Sequence, residues 1–234
     1  MDVVYPVAKA FFWPALRYGL QWTIEGAEHI PTAGPVIVAS NHVSYLDPLT
    51  LAYVADQRGR RVRFLAKAEL FNKRGLGTLL RAAHQIPVDR GTADASGALG
   101  AAVAALAGGE CVAVFPEGTI SLDLEPMRGK SGTARLAQQA HVPIVPVGLW
   151  GTHRILMKGR KPSWKWGVPE VAVVGEPLMV DAAEHVKHAT DRIMDAIVAC
   201  VARAREQYPQ QPRPGEDSWW WREPGSAGAH QRSA

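Results

Sequence analysis

The sequence predicts an α/β domain built on a largely parallel sheet, and three observations carry that expectation. Seven short apolar runs of β type alternate with helical stretches along the chain, the order that βαβ crossovers require. The runs are apolar nearly throughout, with weak polar alternation, as in a sheet covered by helices on both faces. The chain has 234 residues, 47% hydrophobic and 21% charged, which is ample for one domain with a real core.

Taken in order, the first strand falls at residues 22–26 (WTIEG) and the second at 36–39 (VIVA). A helix follows at 48–55, because Asp47 is a good N-cap and Pro48 suits the first helical position. A strand at 62–66, a helix at 76–83 and a strand at 85–88 come next, then an alanine-rich helix at 93–107. The strand at 111–115 is stopped by Pro116, which lacks the N–H that a central strand needs. A helix at 132–140, strands at 144–149 and 170–174, and a long helix at 182–207 complete the pattern.

The ends read differently. Residues 1–21 contain an apolar stretch interrupted by Pro6, Lys9, Pro14 and Arg17. Such interruptions argue against a spanning helix, and no small-residue cleavage site follows to suggest a secretory signal. The stretch reads as an interfacial helical segment, with Phe11, Phe12, Trp13 and Trp22 at the lipid boundary and Lys9 and Arg17 reaching headgroups, ahead of the alternative of an ordinary helix packed on the domain. The main domain is set at 22–208. Residues 209–234 form a Pro/Gln/Gly-rich tail in which Trp219, Trp220 and Trp221 need a surface to pack on, either the domain or a membrane.

The composition sets further bounds. With 26 basic and 22 acidic residues the net charge is +4, which suits an anionic membrane or substrate. No dense Lys/Arg block points to nucleic acid. Cys111 and Cys200 are too few for a metal site and read as buried free thiols in a reducing compartment.

The chemistry concentrates at strand ends. Residues 41–48 read NHVSYLDP. Asp47-Pro48 explains itself as a helix start, and His42 as a loop histidine. Yet Asn41-His42 stands at the carboxyl end of a strand, where α/β sheets bind ligands. A neutral imidazole there can take a proton from an alcohol, and does so better when a carboxylate holds its other nitrogen. A second block, Ile86-Pro87-Val88-Asp89-Arg90, ends a strand in an arginine. A third, Phe115-Pro116-Glu117-Gly118-Thr119, presents Glu117 and Thr119 on a turn that Gly118 permits. A fourth, Val142-Pro143-Ile144-Val145-Pro146-Val147-Gly148, is apolar.

These blocks, spread over about residues 35–150 in this order, resemble the motifs of the glycerolipid acyltransferases, and of the 1-acyl-glycerol-3-phosphate (lysophosphatidate) acyltransferases in particular. The resemblance implies that family's fold, a mostly parallel or mixed sheet of about seven strands flanked by helices. It implies His42 as general base and Asp47 as its orienting acid. Arg90 matches the family's phosphate-holding arginine, and Glu117, Gly118 and Thr119 its glycerol-phosphate block. Lys67, in Lys67-Ala68-Glu69-Leu70, and Lys130, in Arg128-Gly129-Lys130-Ser131-Gly132, match further family segments, and Asn41 belongs to the first motif. Two departures stand out: His84 where the family often has glycine, and Ile120-Ser121 where it commonly has Arg or Ser after the threonine.

The reaction implied is transfer of a fatty acyl group from acyl-CoA or acyl carrier protein to the sn-2 hydroxyl of 1-acyl-glycerol-3-phosphate, giving phosphatidic acid in phospholipid biosynthesis. It needs no metal or other cofactor. It places the protein on the cytoplasmic face of the cell membrane, peripherally or monotopically. Rival readings are transfer to glycerol 3-phosphate, another lysophospholipid or a lyso-aminolipid; ester or thioester hydrolysis, for which no Gly-x-Ser-x-Gly elbow is present; and a non-catalytic membrane lipid-binding protein.

Overall fold

The structure, a computed structural model, describes residues 4–88 and 95–222. Arg90 and the start of the expected helix at 93 lie outside those residues. The elements run α1 (Val4–Gly19), β1 (Leu20–Glu25), β2 (Val36–Ser40), α2 (Asp47–Asp56), β3 (Val62–Lys67), α3 (Ala68–Phe71), α4 (Leu76–Ala82), β4 (Ile86–Val88), α5 (Ala95–Ala107), β5 (Cys111–Val114), α6 (Gly132–Ala140), β6 (Ile144–Trp150), β7 (Val168–Val174) and α7 (Val186–Glu206). The seven strands form one mixed sheet in the order β1-β7-β6-β2-β5-β3-β4.

From β6 to β4 every pairing is parallel. The carboxyl ends of β6, β2, β5, β3 and β4 therefore share one edge. β7 runs antiparallel to β6, and β1 parallel to β7. An antiparallel neighbour needs no crossover helix, so the chain between β6 and β7 stays at that same edge. The start of β1, and with it the end of α1, lies there too: the Gly167 N–H donates to the Gly19 carbonyl at 2.8 Å.

Strand alternation sorts the core onto two faces. Ile37 and Ala39 of β2 face one cluster with α5, α6 and α7. Val36 and Val38 face the other, with Leu51, Val54 and Ala55 of α2. α7 lies directly on β6. A Cβ at Gly148 would stand 2.4 Å from the Cys200 carbonyl carbon and the Val201 nitrogen, so only glycine lets that helix backbone approach the sheet so closely.

Three expectations are corrected. α2 begins at Asp47 with Leu46 as its N-cap, and the Asp47 carboxylate does not cap the helix; it turns back toward residues 42–44. α7 begins at Val186 rather than 182, because Asp181 accepts the Ala183 N–H at 2.7 Å in a local turn that competes with the helix. Trp13 and Trp22 are turned onto the domain. Trp13 donates to Asp56 at 2.7 Å, while Trp22 donates to the Leu16 carbonyl at 2.9 Å and stacks on Tyr53.

The tryptophans of the tail find the domain surface. Trp220 is buried, with Trp219 and Trp221 packed beside it against the α5–α7 cluster. The Arg154 guanidinium lies 3.8 Å from the Trp220 ring and that of Arg160 3.9 Å from Trp219. Arg222 donates twice to the Asp123 carbonyl, at 2.8 and 3.0 Å, so the tail braces the loop that follows β5.

Candidate active site

β2 ends in Ser40, and the chain leaves the sheet through Asn41 and His42. The two neighbours face opposite ways, as extended residues must. The Asn41 amide is buried and pairs with the Leu149 backbone, accepting its N–H at 2.8 Å and donating to its carbonyl at 3.0 Å. Asn41 therefore anchors the loop to β6, and its polar groups are not available to a substrate.

His42 is pinned from three sides. Its Nδ1 lies 2.9 Å from Asp47 Oδ2. Its ring stacks on Phe115 with centroids 4.2 Å apart and planes 18° apart. Its backbone N–H donates to Glu117 Oε1 at 2.9 Å, and its carbonyl accepts the Ser121 N–H at 2.8 Å. The imidazole keeps 15% exposure while the Asp47 side chain has none.

Asp47 meets donors on every side. Oδ2 accepts the Val43 and Ser44 N–H groups, both at 2.7 Å, besides His42; Oδ1 accepts the Thr152 hydroxyl at 3.0 Å. A buried carboxylate so surrounded is fully satisfied and offers nothing to accept from, so Nδ1 must carry the hydrogen. The lone pair is then on Nε2, across the ring. The tight turn of residues 43–46 brings the acid back to the histidine, and Ser44 locks that turn by donating to the Leu156 carbonyl at 2.8 Å.

Thr152 is the residue that the sequence reading missed. It follows β6 through Gly151, whose φ of 145° and close contact with the Pro169 carbonyl exclude a side chain. Its N–H donates to Glu170 Oε2 at 2.7 Å, burying a chain of contacts from His42 through Asp47 and Thr152 to β7. A polar residue just beyond an apolar strand was the available signal, the same that marks Ser40-Asn41-His42.

Glu117 also differs from expectation. It is buried, with Oε1 on the His42 N–H and Oε2 on the Met127 N–H at 3.0 Å. It ties the histidine loop to the segment after β5, with both carboxyl oxygens taken up by backbone amides. Burial pushes its carboxyl up to about 8, against the pull of those two amides. A folded-state value above the unfolded one means that the folded protein holds the extra proton, so stability falls as pH rises between them. Buried His153, held down to about 4 by desolvation, adds the opposite trend below its ordinary value of about 6.5. Between about pH 6.5 and 8 the unfolding midpoint is therefore expected to fall with rising pH, by up to about 1.4 kcal/mol per unit from Glu117. Glu117→Gln should flatten that slope in thermal melts, leaving the part due to Glu170, which burial also shifts upward.

The remaining expected residues that are described gather on the same edge; Arg90 lies outside the described residues. Gly118 turns at φ 72°, and a Cβ there would lie 3.0 Å from Lys130 Nζ, so the lysine lies over the turn. The Lys130 N–H donates to the Pro116 carbonyl at 2.9 Å. Thr119 is exposed. Lys67, at the end of β3, is half exposed and paired with Glu69 at 2.6 Å. Ile120 is buried, so the position where the family commonly has Arg or Ser belongs to the core here. Neither cysteine is poised as a nucleophile: burial pushes the Cys111 thiol up to about 12 and that of Cys200 to about 11.

Comparison with known proteins agrees with this arrangement. A family model described as Acyltransferase matches residues 21–150. The 1-acyl-sn-glycerol-3-phosphate acyltransferase of Bacillus subtilis is 29% identical over 164 residues, covering 70% of this chain and 76% of that protein. The human alpha enzyme of the same name is 38% identical over 132 residues, 56% of this chain and 46% of its own. The chain thus spans about half the length of the human relative and of the Limnanthes douglasii one, which is 37% identical over 144 residues. The crystal structure of the 1-acyl-sn-glycerophosphate acyltransferase PlsC from Thermotoga maritima superposes with a TM-score of 0.67 at 27% identity, covering 90% of this chain and 82% of that one. The family model covers more than half of the chain, with the histidine and its saturated buried carboxylate inside the matched region, and the chain belongs to the acyltransferase family.

Proposed function

We propose that the protein transfers a fatty acyl group from a thioester, of coenzyme A or acyl carrier protein, to the sn-2 hydroxyl of 1-acyl-glycerol-3-phosphate, forming phosphatidic acid. The observation that carries this reading is the 2.9 Å contact between His42 Nδ1 and an Asp47 that accepts from every side. It leaves Nε2 as a base. His42 takes the hydroxyl proton as the oxygen attacks the thioester carbonyl. Collapse of the tetrahedral intermediate breaks the carbon–sulfur bond and expels the thiolate, which recovers the proton from the imidazolium. Asp47 holds the ring in one tautomer and stabilises its positive form.

Arg90, Lys67 and Lys130 supply cations for the acceptor's phosphate, and Gly118 and Thr119 shape the wall beside them. Glu117 and Asn41 hold the histidine loop. Positioning of this kind makes the encounter effectively unimolecular. Among the described residues no helix is long and apolar enough to cross a membrane, and α1 serves as a surface anchor on the cytoplasmic face.

The test is an acceptor screen with labelled acyl-CoA and acyl carrier protein thioester, offering 1-acyl-glycerol-3-phosphate, glycerol 3-phosphate, other lysophospholipids and a lyso-aminolipid. Transfer to 1-acyl-glycerol-3-phosphate is expected to exceed the others. Arg90→Ala should raise KM for the acceptor far more than for the donor. Hydrolysis of the thioester without transfer to any acceptor would overturn the reading.

A further inference from the structure

We propose that the loop between β6 and β7 docks the protein on an anionic lipid surface through Lys158, Arg160, Lys161 and Lys165 together with Trp164 and Trp166. Residues 158–166 read KGRKPSWKW, four cations and no acid in nine positions. All four cations are exposed, and none is in a salt bridge among the described residues. Trp164 and Trp166 keep 71% and 77% exposure. Folding does not drive two indoles into water. A surface that holds them beside Lys158, Lys161 and Lys165, with Arg160 lying over the Trp219 ring, is built for a partner.

The patch is continuous with α1. Trp166 lies against the end of that helix, where a Cβ at Gly19 would approach its ring to 3.3 Å. There the exposed Tyr18 adjoins it, and Phe11 stands exposed two turns earlier on the helix. The same loop reaches the candidate base: Thr152 bonds Asp47, and the Leu156 carbonyl accepts from the Ser44 hydroxyl and, at 3.1 Å, from the Tyr45 N–H. A surface that seats this loop therefore lies beside the turn carrying His42.

Charge and apolarity together select the occupant. Lys and Arg meet lipid phosphates while indoles settle at headgroup depth, and a bilayer offers both layers in one plane. This inference rests on the reading that both substrates are lipid amphiphiles, but docking and transfer are measured apart. The full chain is sedimented with phosphatidylcholine vesicles, with and without phosphatidylglycerol.

Each cation near an anionic surface is worth about fivefold in partitioning. The variant with Lys158, Arg160, Lys161 and Lys165 all changed to Gln should thus lose on the order of 10²–10³-fold on the anionic vesicles and little on neutral ones. Trp164→Ala with Trp166→Ala should weaken binding to both. Transfer to a soluble short-chain acceptor should stay unchanged in these variants, so a failure of docking is separable from a failure of the proposed chemistry. Wild-type binding by the quadruple variant would leave α1 as the whole anchor and overturn the assignment. So would unchanged vesicle binding with lost binding to acyl carrier protein or an oligonucleotide.

Discussion

His42→Ala is expected to lower kcat for acyl transfer by about 10²–10⁴-fold, the range that a positioned general base supplies, with little change in KM for either substrate. The imidazole makes no contact that the fold depends on beyond its stacking on Phe115 and one of the bonds to Asp47. The loop itself is held through the His42 backbone, by Glu117 and by the Ser121 amide, and those contacts survive the substitution. The unfolding midpoint should therefore move by no more than about 1–2 kcal/mol equivalent, the worth of one hydrogen bond and some packing. Steady-state rates with labelled thioester, beside a thermal melt, separate the two effects. Turnover within a few-fold of wild type would remove the base from the mechanism.

Much of this site was legible because its parts are sequence-local. The apolar runs at 36–39, 111–115 and 144–149 read as buried strands, and their resemblance to the family's motifs put the polar blocks that end them in one site. What the sequence withheld was direction. Asn41 and His42 are adjacent, yet one anchors to Leu149 and the other stacks on Phe115. Glu117 stands in the most distinctive block but spends both oxygens on backbone amides.

Long-range packing hid the rest. Thr152 reaches Asp47 across 105 positions. The three tryptophans at 219–221 called for a surface, but nothing local chose the domain over a membrane or placed Trp220 against Arg154, with its carbonyl 3.0 Å from His153 Nε2. The strand-centred reading also passed over residues 158–166, because a loop between antiparallel neighbours carries no periodicity to flag it.

Asp47→Asn and Asp47→Ala should fail in different ways, and the difference tests what the carboxylate does. Three N–H donors converge on Oδ2 and one hydroxyl on Oδ1. An asparagine amide can keep its oxygen toward the three N–H groups and turn its NH2 toward Thr152, whose hydroxyl rotates to accept. Asp47→Asn should thus fold, with a loss of about 1–3 kcal/mol, but without the negative charge that stabilises the imidazolium. Its kcat should drop by about 10²–10⁴-fold. Alanine instead strands two backbone amides, the ring N–H and the Thr152 hydroxyl in a site closed to water, a cost of about 3–5 kcal/mol, visible as a collapse of the melting temperature. Because base and acid act as one unit, His42→Ala combined with Asp47→Asn should be scarcely slower than either alone. An Asp47→Asn protein that folds and keeps most of its turnover would show that the carboxylate only shapes the loop, and that the ring nitrogen needs no charge behind it.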